Sequence, residues 1–208
     1  MRVRLRLRIL AMAGMMTMAI AGAAMAVDKD NVVAHAPAAS AVFAGGCFWC
    51  MQSEFDSQPG VLKTVAGFTG GHVDHPTYEQ VSTGKTGHRE AIEVLYDPKK
   101  VSYAKLLQVF WNNIDPLDAA GQFCDKGEQY KAAIFIGSAE EKAEAEASAK
   151  AMGKKLGKPV VTDILPRRTF WPAAEDHQEF YKRHAEAYQR YRQACGREQR
   201  LKALHGEK

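Results

Sequence analysis

Ala41-Val42-Phe43-Ala44-Gly45-Gly46-Cys47-Phe48-Trp49-Cys50-Met51 is the stretch whose reading decides the fold. Its first four residues form an unbroken apolar run, the mark of a buried strand, and residues 51–57 read as a helical turn or two. Cys47 therefore falls where a strand becomes a helix. Free amides and the positive end of a helix dipole favour an anion there, which predicts a thiol lowered from about 8.5 into roughly 3.5 to 7.5. Gly45 and Gly46 let the chain turn tightly and leave the sulfur open. Phe48 and Trp49 supply an apolar wall. A structural cysteine in an aromatic core is the plainer alternative, but it leaves the glycines unexplained.

Working outward, the 208 residues are 46% hydrophobic and 25% charged, enough for one globular domain with appendages. Four cysteines are too few for a disulfide scaffold of this length and suit chemistry better. Arg2, Arg4, Arg6 and Arg8 account for the whole net charge of +4, and no acid occurs before Asp28. The rest of the chain is balanced, so nucleic-acid binding loses its compositional support. Residues 1–26 have the form of a secretory signal: arginines, an apolar stretch from Ile9 to about Ala23, and Ala24-Met25-Ala26 as the cleavage site. The apolar stretch is shorter than the ~20 residues of a spanning helix. The expected organisation is a signal peptide over 1–26, a flexible lead-in over 27–40, a catalytic domain over 41–192 and a charged tail over 193–208. The mature protein is expected in an oxidising compartment, a bacterial periplasm, without stable membrane association.

Past the Cys47 turn, residues 61–68 read as a strand and residues 69–87 as a long loop bearing His72, His75 and Tyr78. Residues 90–96 alternate cleanly, which puts Glu90 on the apolar face with Ile92, Val94 and Tyr96. Ser102 is positioned to cap a helix whose stripe is Tyr103, Leu106, Leu107, Phe110 and Trp111. Residues 117–129 read as a second polar loop carrying Cys124 and Asp125. A strand over 130–137, a helix to about Leu156 opened by Ser138 and Glu141, a strand over 160–165 and a last helix over 173–193 complete the pattern. Without a Gly-rich nucleotide fingerprint, this order favours a compact α+β sandwich with a mixed or antiparallel sheet over a doubly wound one.

Two other chemistries fail on spacing. Gly84-Lys85-Thr86 ends like a phosphate loop, but Glu79 stands where the first glycine belongs. His72 and His75 miss the i, i+4 spacing of a helical metal pair, and a single Cys-x-x-Cys is half of a structural zinc site. No metal and no organic cofactor is expected. What remains is a nucleophilic thiol, an aromatic wall, a carboxyl on an apolar face, loop tyrosines and spare cysteines. Reducing a sulfoxide calls for those parts: a soft nucleophile, a proton donor for the departing oxygen and a second thiol to remove the sulfenic acid.

Six ordered motifs between about Ala41 and His177 carry a resemblance. Gly46-Cys47-Phe48-Trp49, Ala66-Gly67-Phe68-Thr69-Gly70-Gly71, Pro76-Thr77-Tyr78-Glu79-Gln80-Val81, Gly84 with 86–91, Tyr96-Asp97-Pro98, and Asp125 with Gly127, Gln129 and Tyr130 resemble peptide methionine sulfoxide reductase A. The resemblance implies a two-layer α/β sandwich of ferredoxin-like type and activity on the S epimer at sulfur. It implies Cys47 as nucleophile, Glu90 as proton donor, and Tyr78 and Tyr130 as donors to the sulfoxide oxygen. Phe48 and Trp49 would hold the methyl group and Asp125 would position the substrate. Cys50 stands where many relatives have glycine, and Phe123-Cys124 replaces Gly-Asn.

Three cysteines compete to resolve Cys47. Cys195 comes first, because it opens a tail that can swing in and many relatives resolve through a C-terminal cysteine; Cys124 is next, and Cys50 follows. The expected reaction converts methionine sulfoxide, free or in proteins, to methionine, with a thioredoxin-like dithiol as reductant. The rival readings are a periplasmic dithiol oxidoreductase using Cys47 and Cys50, and a binding domain stapled by its cysteines.

Overall fold

The structure, a computed structural model, describes residues 38–206; the expected signal segment and almost all of the lead-in lie outside the described residues. Strand β1 (Ala39–Ala44) starts two residues before the expected domain boundary, because Ala39 and Ser40 already pair with Tyr96 and Leu95. It leads through Gly45 and Gly46 into α1 (Phe48–Asp56) and then β2 (Val61–Thr69). The long loop that follows contains a short helix, α2 (Tyr78–Ser82), fixed by a reciprocal capping box between Thr77 and Gln80. His88 pins the rest of that loop: Gly71 N donates to its Nδ1, and its Nε2 donates to Val73 O. Next come β3 (Arg89–Tyr96) and α3 (Tyr103–Asn112), the latter capped by Ser102 as its sequence predicts.

The expected polar loop over 117–129 holds a small hairpin, β4 (Gly121–Gln122) with β5 (Asp125–Lys126). Strand β6 (Ala133–Ile136), helix α4 (Ala139–Leu156) and strand β7 (Asp163–Pro166) follow. The last helix of the sequence reading is interrupted. Trp171–Pro172 forms β8 against the edge of β2, and Glu179 turns left-handed at φ 51° before α5 (Phe180–Arg183) and α6 (Ala185–Ala194). Nor is 196–205 an open tail: it forms α7 (Arg197–His205), docked by the buried Leu201 and Arg197 and by an Arg200–Asp115 ion pair of 2.7 Å. An arginine buried as an anchor cannot be told from a solvated one by composition.

One mixed sheet, in the order β7-β6-β1-β3-β2-β8, organises the molecule. All neighbours are antiparallel except β6 and β7. On one face, α1, α3 and α4 bring Met51, Phe55, Leu106, Phe110 and Met152 over Phe43, Phe68 and Ile92. Phe43 stacks between Phe55 and Phe110 at 5.1 and 5.4 Å. The other face is smaller, built on Val42, Ala44, Ala91, Ala133 and Phe135 and covered by Leu165 and Phe170. Among the described residues, no helix is long and apolar enough to cross a membrane.

Candidate active site

The register of the sheet assembles the site. Because β1 and β3 are antiparallel, with Phe43 opposite Ile92, the end of β1 lies beside the start of β3. Cys47 therefore emerges next to Glu90. The same rule brings in the loop after β2, whose Thr69 pairs with Arg89, and the segment before β6, whose Ala133 pairs with Ala44. Tyr78 and Tyr130 lie on those two segments. Four chain segments far apart in sequence thus deliver their reactive groups to one edge.

Cys47 is the N-cap of α1, with its carbonyl accepting from Cys50 N and Met51 N. The two glycines before it are sterically required. A Cβ on Gly45 would sit 2.6 Å from Met51 Sδ, and one on Gly46, at φ 80°, would sit 2.5 Å from Gln122 Cβ. The free amide of Phe48 does not serve the thiol. It donates to Glu90 Oε2 at 3.0 Å, tying the head of α1 to β3.

The electrostatics invert the expectation for Cys47. With only 6% of its surface exposed, its thiol is pushed well above the ordinary value by burial, by its hydrogen bond to Cys50 and by the negative charges of Cys50 and Glu90. Cys50 is the thiol that is lowered, to about 7, first by the hydrogen bond from Cys47 and then, against burial, by the charges of Arg197 and Arg192. The helix-start argument failed at Cys47 because burial outweighs it, and the first amide of the helix is in addition spent on a carboxyl. Burial raises Glu90 to about 8, outweighing the Phe48 N–H, with Asp125 and Cys50 adding to the rise. At neutral pH Glu90 holds its proton. Burial and the Glu90 charge also raise Tyr78 and Tyr130, whose side chains hydrogen-bond to each other. Both are neutral O–H donors.

The aromatic wall divides in two. Phe48 is fully buried against Phe68, Tyr78 and His177, whereas Trp49 is half-buried, stacked on Phe180 at 3.8 Å and edge-on to Tyr191. Trp49 Nε1 and His177 Nδ1 are buried with no hydrogen-bond partner among the described residues. Asp125 accepts from the Tyr191 hydroxyl, which also lies in hydrogen-bond contact with Cys47.

Cys195 is not free to swing. It is bonded to Cys124, with a Cα–Cα separation of 4.9 Å, while Cys47 and Cys50 are free thiols. That bond uses both sulfurs of the grouping with Asp125 that, among the described residues, packs at metal-ligand spacing.

Two antiparallel strands, a thiol at a helix start and a protonated carboxyl bound to the next amide form one unit. The family model for peptide methionine sulfoxide reductase matches residues 39–208. The chain belongs to the peptide methionine sulfoxide reductase family. Peptide methionine sulfoxide reductase MsrA of Bacillus licheniformis is 48% identical over 170 residues, 81% of this chain and 94% of that protein. The Bacillus subtilis protein of the same name is 50% identical over 159 residues, 76% of this chain and 90% of its own. Methionine sulfoxide reductase A of Corynebacterium diphtheriae superposes with a TM-score of 0.64 at 28% identity, covering 70% of this chain and 74% of that one. The reduced form of Mxr1 from Saccharomyces cerevisiae gives 0.67 at 25% identity, over 70% and 85%. As a member of this family the chain is a peptide-methionine (S)-S-oxide reductase.

Several residues of this reductase site escaped the sequence reading. Tyr191 lies in what reads as the last helix and Arg197 in what reads as a charged tail. His177 packs among Tyr78, Phe48 and Trp49, so its ring belongs to the site wall. Its neighbour Gln178 is structural: Oε1 accepts from Ala66 N at 2.9 Å and Nε2 donates to Ala66 O at 2.8 Å, extending the edge of β2. The sequence signal for all four is weak, because each acts through a partner more than 60 residues away.

Proposed function

We propose that Cys47 attacks the sulfur of methionine S-sulfoxide while Glu90 gives its proton to the oxygen and takes up the proton released by the Cys47 thiol, so that the carboxyl ends the step as it began. The observation that carries this reading is Glu90 itself: a carboxyl 3% exposed, held by Phe48 N beside the nucleophile and raised to about 8. Tyr78 and Tyr130 donate to the sulfoxide oxygen as it gains charge. Trp49, with Phe48 behind it, receives the methyl group, and Asp125 orients the substrate through Tyr191. Methionine departs and leaves Cys47 as a sulfenic acid. Cys50 then attacks that sulfur: an S–S bond forms, the S–O bond breaks, and the hydroxide takes a proton to leave as water.

Cys50 takes precedence over Cys195 and Cys124 as the resolving thiol because those two are bonded to each other. A thioredoxin-like dithiol restores the enzyme by attacking Cys47, the more exposed of the two residues at 6% against 1%. The arginine-rich, apolar first 26 residues support export to the periplasm, so the reductant must be an exported one. The order β6-β1-β3-β2, with α1 and α3 as crossovers, supports a ferredoxin-like two-layer core.

The test is to incubate the purified chain with racemic methionine sulfoxide and dithiothreitol, then resolve the epimers. The S epimer should disappear and the R epimer persist; consumption of both, or of neither, would refute the reading.

A further inference from the structure

Arg197 is an anomaly. Its residue is 2% exposed, yet among the described residues no carboxylate forms an ion pair with it. Its guanidinium donates to Asn113 O, lies 3.6 Å from Met51 Sδ and covers the Phe123 ring at 4.5 Å, while Nε has no acceptor. Arg192, the other cation near the thiols, is satisfied by Glu54 at 2.8 Å and Glu198 at 2.5 Å. An unpaired buried cation costs several kcal/mol, so a buried guanidinium calls for an anion. Its contact with Met51 docks the guanidinium on α1, where its charge acts on Cys50 and lowers that thiol.

We propose that Arg197 is the counter-ion of the Cys50 thiolate and so a positioning residue for the step that resolves the Cys47 sulfenic acid. The inference rests on the reading that Cys50 resolves. Every element around Cys50 contributes a charged or titratable group: Cys47 at the head of α1, Glu90 from β3, Asp125 from β5, Tyr188, Tyr191 and Arg192 from α6, and Arg197 from α7. Of these, Arg197 is the cation that, among the described residues, forms no ion pair with a carboxylate, although its charge also acts on Asp125. The Cys124–Cys195 bond keeps it in place, since Cys124 follows Phe123 and Cys195 precedes Gly196-Arg197. In the step itself, Cys50 sulfur gives two electrons to Cys47 sulfur, the S–O bond breaks, and water leaves. Arg197 transfers nothing. It holds Cys50 deprotonated until the sulfenic acid forms.

The experiment follows a single turnover without reductant, measuring methionine by chromatography and Cys47 sulfenic acid by trapping with a cyclic dione. Arg197→Met should form one methionine per enzyme as the unaltered protein does, but hold the sulfenic acid about fivefold longer at pH 7, because a rise of one pKa unit from about 7 cuts the Cys50 thiolate from about one half to about one eleventh. Arg197→Lys should restore most of the rate. In the unaltered protein, sulfenic acid decay should rise with pH about a midpoint near 7, a reading that needs no variant. Unchanged decay in a folded Arg197→Met, failure of Arg197→Lys to restore it, or a midpoint at the ordinary 8.5 would overturn the inference. A first disulfide from Cys47 to Cys195 would overturn it too. Absence of methionine from the unaltered protein would instead sink the proposed function.

Discussion

The two cysteine pairs of this chain are opposites. Cys47 and Cys50 are three residues apart, buried and free, on a helix start that the sheet holds rigidly; Cys124 and Cys195 are 71 residues apart, lie nearer the surface, and are joined. The difference teaches that accessibility and reactivity part company here. The exposed pair has the chemistry of a staple, closing a long loop and fixing α7 against the domain. The buried pair lies beside a protonated carboxyl, Glu90, and its thiols interact electrostatically with Arg197 and with the neutral hydroxyls of Tyr78 and Tyr130. Burial raises Cys47 and Glu90, while the hydrogen bond from Cys47 and the charges of Arg197 and Arg192 bring Cys50 down against it, so the groups of the site are shifted apart.

The sharpest way to break that contrast is to remove one sulfur from each pair. Cys47→Ser should abolish methionine formation completely, whereas Cys195→Ser should still yield one methionine per enzyme, as read by single-turnover chromatography. If Cys47→Ser still made methionine, the buried pair would not be the reactive one. Next in size, Glu90→Gln should slow oxygen loss by about 10² to 10⁴, the usual worth of a general acid. In the unaltered enzyme the same step should fall away as pH rises through about 8, where Glu90 loses its proton. A flat single-turnover profile from pH 6 to 9 would assign the proton to another group.

Stability separates the pairs in a different direction. Opening the 71-residue loop with Cys195→Ser should cost about 2 to 4 kcal/mol, or roughly 5 to 15 °C in melting temperature. Glu90→Gln should do the reverse. A carboxyl whose folded value is raised makes the unfolded chain the better acid, so above about pH 4.5 its presence lowers stability progressively until about pH 8. The variant should melt higher than the unaltered protein at pH 8 and equally at pH 4; equal melting at both would mean Glu90 is not neutral in the folded state. The smallest effect is expected of Tyr191→Phe, which removes one hydroxyl between Asp125 and Cys47. A loss of about 2- to 10-fold in turnover matches one neutral hydrogen bond.

What could be read from the sequence was local. The strand-to-helix turn at Cys47, the alternation that placed Glu90 inside and the Ser102 and Ser138 caps all follow from contacts within a few residues. Even there, the Ser138 cap differs in detail: Glu141 reaches back to Gly137 N, one residue beyond a reciprocal box. Non-local partners stayed hidden. Nothing in 193–208 announces that Arg197 will be buried or that Leu201 will dock a helix, because a charged, alanine-containing segment looks the same solvated or anchored. The expected mobile Cys195 failed for that reason. The expected thiolate at Cys47 failed for a related one, since burial outweighs the helix start and the Phe48 amide belongs to a carboxyl 42 residues away.

The central claim is that chemistry stays within the buried pair, and one measurement addresses it most directly. After a single turnover with methionine S-sulfoxide and no reductant, the protein is quenched in acid, digested and its disulfides mapped by mass spectrometry. The expected result is a new bond between Cys47 and Cys50 with Cys124–Cys195 intact; a first bond from Cys47 to Cys195 or to Cys124 would contradict the account.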